Sequence, residues 1–261
     1  MIVYIPVQVK GKFMKKALKI IIIATLVVAI LGVLILLALH VNGFSGLHNH
    51  TEAKDGQIKV ACVGDSITYG HGISNWEKNN YPAQLQEILG DKYHVQNFGH
   101  SGKTLSSHGD QPYIESEQYK LSLEYKPDIL VLMLGTNDSK PQNWFDDIEI
   151  ISALDSLIRS YIEVNPDVKI LICTPAAAFY MDSESSITNF NIRPAVVETI
   201  SYTIMSYAFN NALSIPQLYN IVNVYENTIE HPEWFSDYVH PNIEGARAIA
   251  ELVAQKITAI K

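Results

Sequence analysis

The chain has 261 residues, with 19 basic and 27 acidic side chains and a formal net charge of −8. The first fifty residues hold five of the lysines and no acidic residue. The remaining residues therefore carry a formal net charge of −13, compared with −8 for the whole chain. Such an acidic domain lacks the basic patch that binds phosphate backbones, which excludes nucleic acid as an expected partner. The same charge disfavours a domain that lies flat on anionic lipid.

The amino-terminal region contains twenty consecutive uncharged residues, 20–39. A helix of that length spans the roughly 30 Å hydrocarbon core of a bilayer. Because the lysines precede this run, the positive-inside rule places the amino terminus in the cytoplasm and the later residues outside. We therefore expect a cytoplasmic basic segment at 1–19, a single-pass transmembrane signal-anchor at 20–39, a stalk at 40–57 and one folded domain at 58–261.

A cleaved signal peptide is the alternative, and it would make the protein secreted rather than anchored in the cell membrane. The apolar region of a signal peptide is usually about 7–15 residues long, so the longer run favours an uncleaved anchor. Met14 followed by two lysines also has the form of an export-signal start, which leaves the initiator open between Met1 and Met14.

Apolar runs alternate with helical patterns through the folded domain. Strands are predicted at 58–63, 94–98, 129–134, 168–174 and 219–224, and helices at 81–89, 114–124, 144–164, 194–212 and 243–260. Near-continuous apolar strands that alternate with helices indicate a parallel sheet covered on both faces. We therefore predict an α/β fold, a three-layer α/β/α sandwich. Cys62 and Cys173 lie in two of these strands, and we expect them to be buried free thiols.

Residues that could take part in catalysis follow four of the predicted strands. Ser66 follows the first strand, Gly99 the second and Asn137 the third, while Asp237 and His240 follow the fifth. The loops at the carboxyl ends of parallel strands meet at one edge of the sheet, where ligands bind. Topology therefore predicts that these residues converge.

The converging residues include each group that acyl transfer requires. Ser66 is the expected nucleophile, and a hydroxyl needs a base in contact with it. His240 is the expected base, and Asp237, three residues earlier, would accept its Nδ1 proton. The expected oxyanion donors are the backbone N–H groups of Ser66 and Gly99 and the side-chain amide of Asn137.

Other residues near these blocks leave alternatives open. Asp138 is a rival for the triad acid, but a loop aspartate commonly bonds to nearby backbone, so Asp237 is preferred. His71 and His100 flank the expected site and are interpreted as solvated loop histidines. Aromatic residues are typical of pockets, and the candidates for a substrate pocket are Tyr69, Trp144 and Trp234.

The four blocks together resemble those of the SGNH hydrolases, also called GDSL-type esterases. The blocks read Gly-Asp-Ser-Ile-Thr, Asn-Phe-Gly-His-Ser-Gly, Gly-Thr-Asn-Asp and Asp-Tyr-Val-His-Pro-Asn, with Ile67 at the leucine of the family's name. The resemblance covers residue 59 to the last predicted helix. It implies a flavodoxin-like sheet of order 2-1-3-4-5, the residue roles given above, and chemistry without a metal or an organic cofactor.

The sequence thus leads to an extracytoplasmic carboxylic ester hydrolase that works through an acyl-enzyme. No apolar insertion long enough for a lipid-binding lid is visible, so short acyl groups, such as O-acetyl on carbohydrate, are the expected substrates. The alternatives on the same fold are a lysophospholipase- or thioesterase-type lipid esterase and an envelope-polysaccharide acyltransferase. A catalytically silent glycan-binding module would require a broken triad. The sequence indicates no oligomeric state.

Overall fold

The computed structural model describes residues 7–41, 50–182, 188 and 190–260. The strands are β1 (Ile58–Gly64), β2 (Tyr93–Gly99), β3 (Ile129–Met133), β4 (Lys169–Cys173) and β5 (Leu218–Val222). The helices are α1 (Val7–Val41), α2 (Ser66–Tyr69), α3 (Trp76–Asn79), α4 (Tyr81–Leu89), α5 (Glu117–Tyr125), α6 (Asp147–Val164), α7 (Pro194–Asn211), α8 (Val224–Thr228) and α9 (Ile243–Thr258).

The five strands form one parallel sheet in the order β2-β1-β3-β4-β5. This order confirms the flavodoxin-like topology that the sequence resemblance implied. Cys62 on β1 pairs with Asn97 on one side and Val131 on the other. Because β3 lies between β1 and β4, Cys62 and Cys173 cannot bridge, and both are buried free thiols as expected.

Two hydrophobic clusters cover the two faces of the sheet. One cluster packs α4 and α9 against the sheet, with Leu85 and Ile249 fully buried. The other packs α6 and α7 against the opposite face, with Ile158 and Ile200 fully buried. The sheet is therefore the middle layer of the predicted α/β/α sandwich.

Capping residues explain where the long helices begin. The predicted helix at 144–164 starts later, at Asp147, because the side chain of Asp146 accepts the N–H of Glu149 and forms the N-cap. Ser116 caps α5 in the same way, so the residues before it form a separate 3₁₀ turn. The short helices α2, α3 and α8 were not predicted, since four or five residues show too little helical periodicity.

Helix α1 contains the predicted anchor. Its segment Lys15–Ala38 has 24 residues and a mean hydropathy of 3.4, which makes it long and apolar enough to cross a membrane. Residues 1–6 of the predicted cytoplasmic segment and residues 42–49 of the predicted stalk lie outside the described residues. The end of the stalk contacts the domain, because His50 Nε2 lies 3.0 Å from the carbonyl oxygen of Asn97 on β2.

Candidate active site

Ser66 stands at the sheet edge because β1 ends at Gly64, two residues before it. Asp65 follows the strand and caps α2, with its Oδ1 accepting the N–H of Ile67 at 2.9 Å. Gly70 ends this one-turn helix in the left-handed conformation, with φ 93°. This tight strand-to-helix turn places the Ser66 hydroxyl at the carboxyl edge of the sheet. Among the described residues, no acceptor engages the backbone N–H of Ser66.

A short loop before α9 holds the histidine and its aspartate. The Asp237 carboxylate accepts two backbone N–H groups with Oδ1, from Val239 at 3.1 Å and from His240 at 2.7 Å. The N–H of Ser236 donates to the carbonyl oxygen of His240 at 3.0 Å and closes the loop. These backbone bonds fix the position of the aspartate relative to the histidine, in addition to the contact between the two side chains.

The structure brings Ser66, His240 and Asp237 into one hydrogen-bonded chain. His240 Nε2 lies 2.9 Å from Ser66 Oγ, and His240 Nδ1 lies 2.8 Å from Asp237 Oδ2. Partial burial raises the pKa of Asp237, but the hydrogen bond from His240, its charge and two backbone N–H groups lower it more. Asp237 is therefore ionised near neutral pH, and its carboxylate favours the His240 tautomer with a proton on Nδ1.

The second and third blocks lie at the same edge. A Cβ on Gly99 would come within 2.2 Å of the backbone nitrogen of Tyr69, so only glycine lets β2 approach α2 this closely. The Gly99 N–H donates to Asn97 Oδ1 at 2.9 Å. Asn137 begins a 3₁₀ turn after β3, and one proton of its side-chain amide goes to the carbonyl oxygen of Lys103 at 3.1 Å. Within the described residues the second amide proton has no acceptor and is available to a ligand.

Asp138, the rival for the triad acid, accepts hydrogen bonds from backbone N–H groups. Its carboxylate is fully buried and accepts the backbone N–H groups of Leu105 at 2.8 Å and of Ser106 at 2.7 Å. Burial raises its pKa to about 6, although those two N–H groups oppose the change. Asp138 thus ties the loop after β2 to the loop after β3, whereas Asp237 contacts His240.

A cleft of about 130 Å³ opens at Ser66 and His240. Apolar side chains on its wall come from Phe190, Ile192 and Val239. The other lining residues are His71, Ser101, Gly102, Thr136, Asn137 and Lys140. Small-molecule sites usually measure about 300–1,000 Å³, so this cleft is suited to a small group.

The aromatic residues predicted for the substrate pocket do not line this cleft. Tyr69 is 1% exposed and stacks on Trp76 inside the core, with ring centroids 4.4 Å apart. Trp144 packs against the cluster under α6 and α7. Trp234 stacks on His231 at 3.8 Å and packs against the opposite cluster. The structure does not bring these rings to the cleft, because packing holds them against the core or against other loops.

The sequence reasoning missed two rings that contact His240. His71, interpreted as a solvated histidine, is half-buried and has its ring centroid 4.7 Å from that of His240. Phe190 meets the His240 ring edge-on at 4.8 Å. Phe190 lies in the loop after β4, which reaches the same sheet edge. The strand order could therefore have indicated that this residue lies near the site. His100 is also half-buried and does not line the cleft.

Among the described residues, no group of three or more His, Cys, Asp or Glu side chains could hold a metal ion. The chemistry that the arrangement itself supports is general-base activation of a hydroxyl beside fixed hydrogen-bond donors.

Comparison with known proteins identifies the family. Residues 62–248 match the model of the GDSL-like lipase/acylhydrolase family. An acetylxylan esterase from Xylanibacter ruminicola is 36% identical over 226 residues, which cover 78% of this chain and 44% of that protein. The chain therefore spans less than half the length of this curated relative.

Solved structures share the fold. A carbohydrate acetylesterase from Sinorhizobium meliloti superposes with a TM-score of 0.61 at 18% identity, over 78% of this chain and 100% of its own. An active-site mutant of a family two carbohydrate esterase from Clostridium thermocellum gives a TM-score of 0.62 at 17% identity, over 79% of this chain and 65% of its own. The family match over most of the folded domain confirms the resemblance seen in the four sequence blocks. The chain belongs to the GDSL-like lipase/acylhydrolase family, a family of carboxylic ester hydrolases.

Proposed function

We propose that this protein is an extracytoplasmic serine ester hydrolase that removes O-acetyl groups from carbohydrate through an acyl-enzyme. The observation that carries the proposal is the hydrogen-bonded chain from Ser66 through His240 to Asp237, with distances of 2.9 and 2.8 Å. A nucleophile in contact with a base, and a base oriented by a carboxylate, are the geometric signature of this chemistry.

In the first half-reaction, Ser66 Oγ attacks the carbonyl carbon of the ester while its proton passes to His240 Nε2. The imidazolium that forms is stabilised by the Asp237 carboxylate at Nδ1. Collapse of the tetrahedral intermediate breaks the bond to the alcohol oxygen, and His240 donates its proton to that oxygen. The alcohol leaves, and the acyl group stays on Ser66.

In the second half-reaction, water takes the place of the alcohol. His240 Nε2 removes a proton from water, and the hydroxide oxygen attacks the acyl carbon. The bond to Ser66 Oγ then breaks, the serine recovers its proton from His240, and the free carboxylic acid leaves.

The oxyanion of both intermediates would lie among three donors. The N–H of Ser66 and the second amide proton of Asn137 are available for it. The N–H of Gly99 already donates to Asn97 Oδ1, so an oxyanion would share this proton in a three-centre bond. Each such donor typically contributes about 2.7–4 kcal/mol to lowering the barrier.

The cleft favours a short acyl group. At about 130 Å³ it has little room beyond Ser66, and the apolar side chains of Phe190, Ile192 and Val239 suit a methyl group. A long acyl chain of a lysophospholipid would need a larger apolar cavity. This observation supports a deacetylase over a lipid esterase.

Carbohydrate is proposed as the alcohol because of the curated relative. That protein is named an acetylxylan esterase and is 36% identical to this chain. A small cleft at the protein surface can also accept the acetyl group of a sugar ester while the sugar itself stays outside the cleft.

We place the enzyme outside the membrane, held by α1. The apolar segment Lys15–Ala38 and the lysines before it support an anchor at 20–39, with residues 1–19 inside and the enzyme domain at 58–261 outside. Cleavage after the apolar run would release the same domain as a secreted enzyme.

The proposal is tested by hydrolysis of p-nitrophenyl esters from acetyl to palmitoyl by the full-length protein in detergent. We expect the acetyl ester to be hydrolysed fastest and Ser66→Ala to lose at least about 10³-fold in kcat, because the nucleophile is absent. Acetylated xylan and acetylated xylose oligomers are then assayed for released acetate.

Two outcomes would contradict the proposal. A Ser66→Ala protein that keeps its turnover removes Ser66 as nucleophile. Faster hydrolysis of the palmitoyl ester than of the acetyl ester replaces the deacetylase with a lipid esterase.

A further inference from the structure

Lys140 is the one charged side chain, among the described residues, that lines the cleft at Ser66. It follows Asn137 by three residues, at the end of the 3₁₀ turn after β3. The lining contains no carboxylate in the described part of the chain. A single positive charge at the cleft of a domain whose net charge is strongly negative needs an explanation.

The backbone of Lys140 is held in place from several sides. Its carbonyl oxygen accepts the N–H groups of Asn143 at 3.0 Å and of Trp144 at 3.1 Å. Arg193 donates to the neighbouring carbonyl oxygen of Ser139 at 2.6 Å and to that of Lys140 at 3.5 Å. These bonds fix the point from which the lysine side chain extends.

The ammonium of Lys140 has no acceptor among the residues that the structure describes. No hydrogen bond or ion pair to Nζ is formed within the part of the chain that the structure describes. The nearby guanidinium of Arg193, in contrast, donates its hydrogen bonds to backbone carbonyl oxygens. An ammonium that no described residue engages is available to a ligand in the cleft that Lys140 lines.

Lys140 and Ser66 line the same cleft. Burial raises the pKa of Asp65, the residue before Ser66, and the charges of His240 and Lys140 work against this rise. The positive charge of Lys140 therefore acts on the carboxyl group of Asp65, the residue before Ser66. A substrate seated on Ser66 would meet the same charge.

From this placement we propose that Lys140 binds a carboxylate on the substrate, so that the enzyme prefers acyl esters that carry a negative charge close to the ester bond. This inference rests on the proposed esterase function and names its substrate class. The carboxylate can belong to the alcohol part, as in an acetylated uronic acid, or to the acyl part, as in a succinyl ester. A neutral acetate on xylose or glucose lacks this contact.

The test compares two pairs of substrates with the full-length protein. The first pair is O-acetylated methyl glucuronoside and O-acetylated methyl glucoside, which differ by the carboxylate on the alcohol. The second pair is p-nitrophenyl hemisuccinate and p-nitrophenyl butyrate, which differ by the carboxylate on the acyl group. The readout is the ratio of kcat/KM for the charged member to that for the neutral member.

We expect a ratio of about ten or more in one of the pairs, the range of a charge-assisted hydrogen bond. Lys140→Met should bring that ratio close to one, and Lys140→Arg should retain most of it. Lys120→Met, an exposed lysine on α5, is the matched control and should keep the wild-type ratio. Raising the salt concentration should lower the wild-type ratio, a test that needs no variant.

The outcomes separate this inference from the proposed function. A preference in the first pair assigns the carboxylate to the alcohol, and one in the second pair assigns it to the acyl group. Hydrolysis of the neutral esters without preference in either pair, or a preference that survives in Lys140→Met, overturns the inference alone. If no ester is hydrolysed at all, the proposed function fails and this inference fails with it.

Discussion

The ring of His71 lies against the ring of His240, with centroids 4.7 Å apart and planes inclined at 50°. Burial and, to a smaller extent, the charge of His240 lower the pKa of His71 to about 4, although the charge of Asp237 opposes this change. His71 is therefore neutral near neutral pH. It packs against His240 and would not repel the imidazolium of the proposed reaction.

His71 should make the protein sensitive to acid. The unfolded chain binds a proton at His71 as the pH falls below about 6.5, whereas the folded protein does so only near pH 4. Protonation therefore favours the unfolded state, and stability is lost as the pH falls through this window. His71→Phe keeps a ring but removes the titration. We expect the variant to gain stability relative to wild type between pH 6.5 and 4, measured by denaturant unfolding at several pH values. Parallel profiles for the two proteins would contradict the assignment.

Asp237→Asn should remove most of the activity. The asparagine amide cannot accept the Nδ1 proton while its NH₂ group faces the ring, so His240 is left in the wrong tautomer. We expect kcat to fall about 10³–10⁴-fold for p-nitrophenyl acetate. Asp138→Asn serves as the comparison, since Asp138 bonds to backbone rather than to His240. Equal losses of kcat at equal folded fraction would remove the distinction between the two carboxylates.

Asp237 should also stabilise the fold in a pH-dependent way. Its pKa in the folded protein lies below the usual value of 3.8, chiefly because His240 offsets the cost of burial. The stabilisation is thus complete above about pH 5 and is lost as the pH falls through the lowered pKa. The stability difference between wild type and Asp237→Asn should shrink below pH 4. A difference that stays constant down to pH 2.5 would show that the carboxylate charge contributes nothing.

Asn137→Ala should act on the rate rather than on binding. Its free amide proton would bond the oxyanion, which exists only in the intermediates, so we expect kcat to fall about 10²–10³-fold with a much smaller change in KM. Asn137→Asp, which keeps the shape but brings a negative charge, should be at least as damaging. Asn210→Ala, on the exposed face of α7, provides the control. A rise in KM that matches the loss of kcat/KM would assign Asn137 to ground-state binding.

Gly99→Ala should destabilise the folded state. The new Cβ would lie 2.2 Å from the backbone nitrogen of Tyr69, and backbone cannot rotate away as a side chain does. Overpacking of this kind costs about 1–3 kcal/mol, and here it also displaces β2 from α2. At Gly90 an added Cβ meets nothing within 4 Å, so Gly90→Ala reports only the strain of its φ of 69°. Thermal unfolding of both variants measures the difference, and equal melting temperatures would refute the close approach.

The order of the strands and the meeting of the four blocks followed from the chain itself. Each apolar run was long enough to be recognised, and a parallel sheet forces the loop after every strand to one edge. The same topology predicts that Ser66, Asn137 and His240 lie together. It could not orient Tyr69, because a residue one turn after a nucleophile can face either the cleft or the core. Stacking on Trp76 decided for the core.

The sequence by itself determined the family, the sheet and the position of the candidate nucleophile, base and acid, because these depend on local motifs and on topology. Tertiary packing alone decided what surrounds them: the His71 and Phe190 rings against His240, and Lys140 at the wall of the cleft. The physical reason is that local patterns record periodicity and turn chemistry. Which side chain faces a cleft depends instead on how separate loops share the space above the sheet.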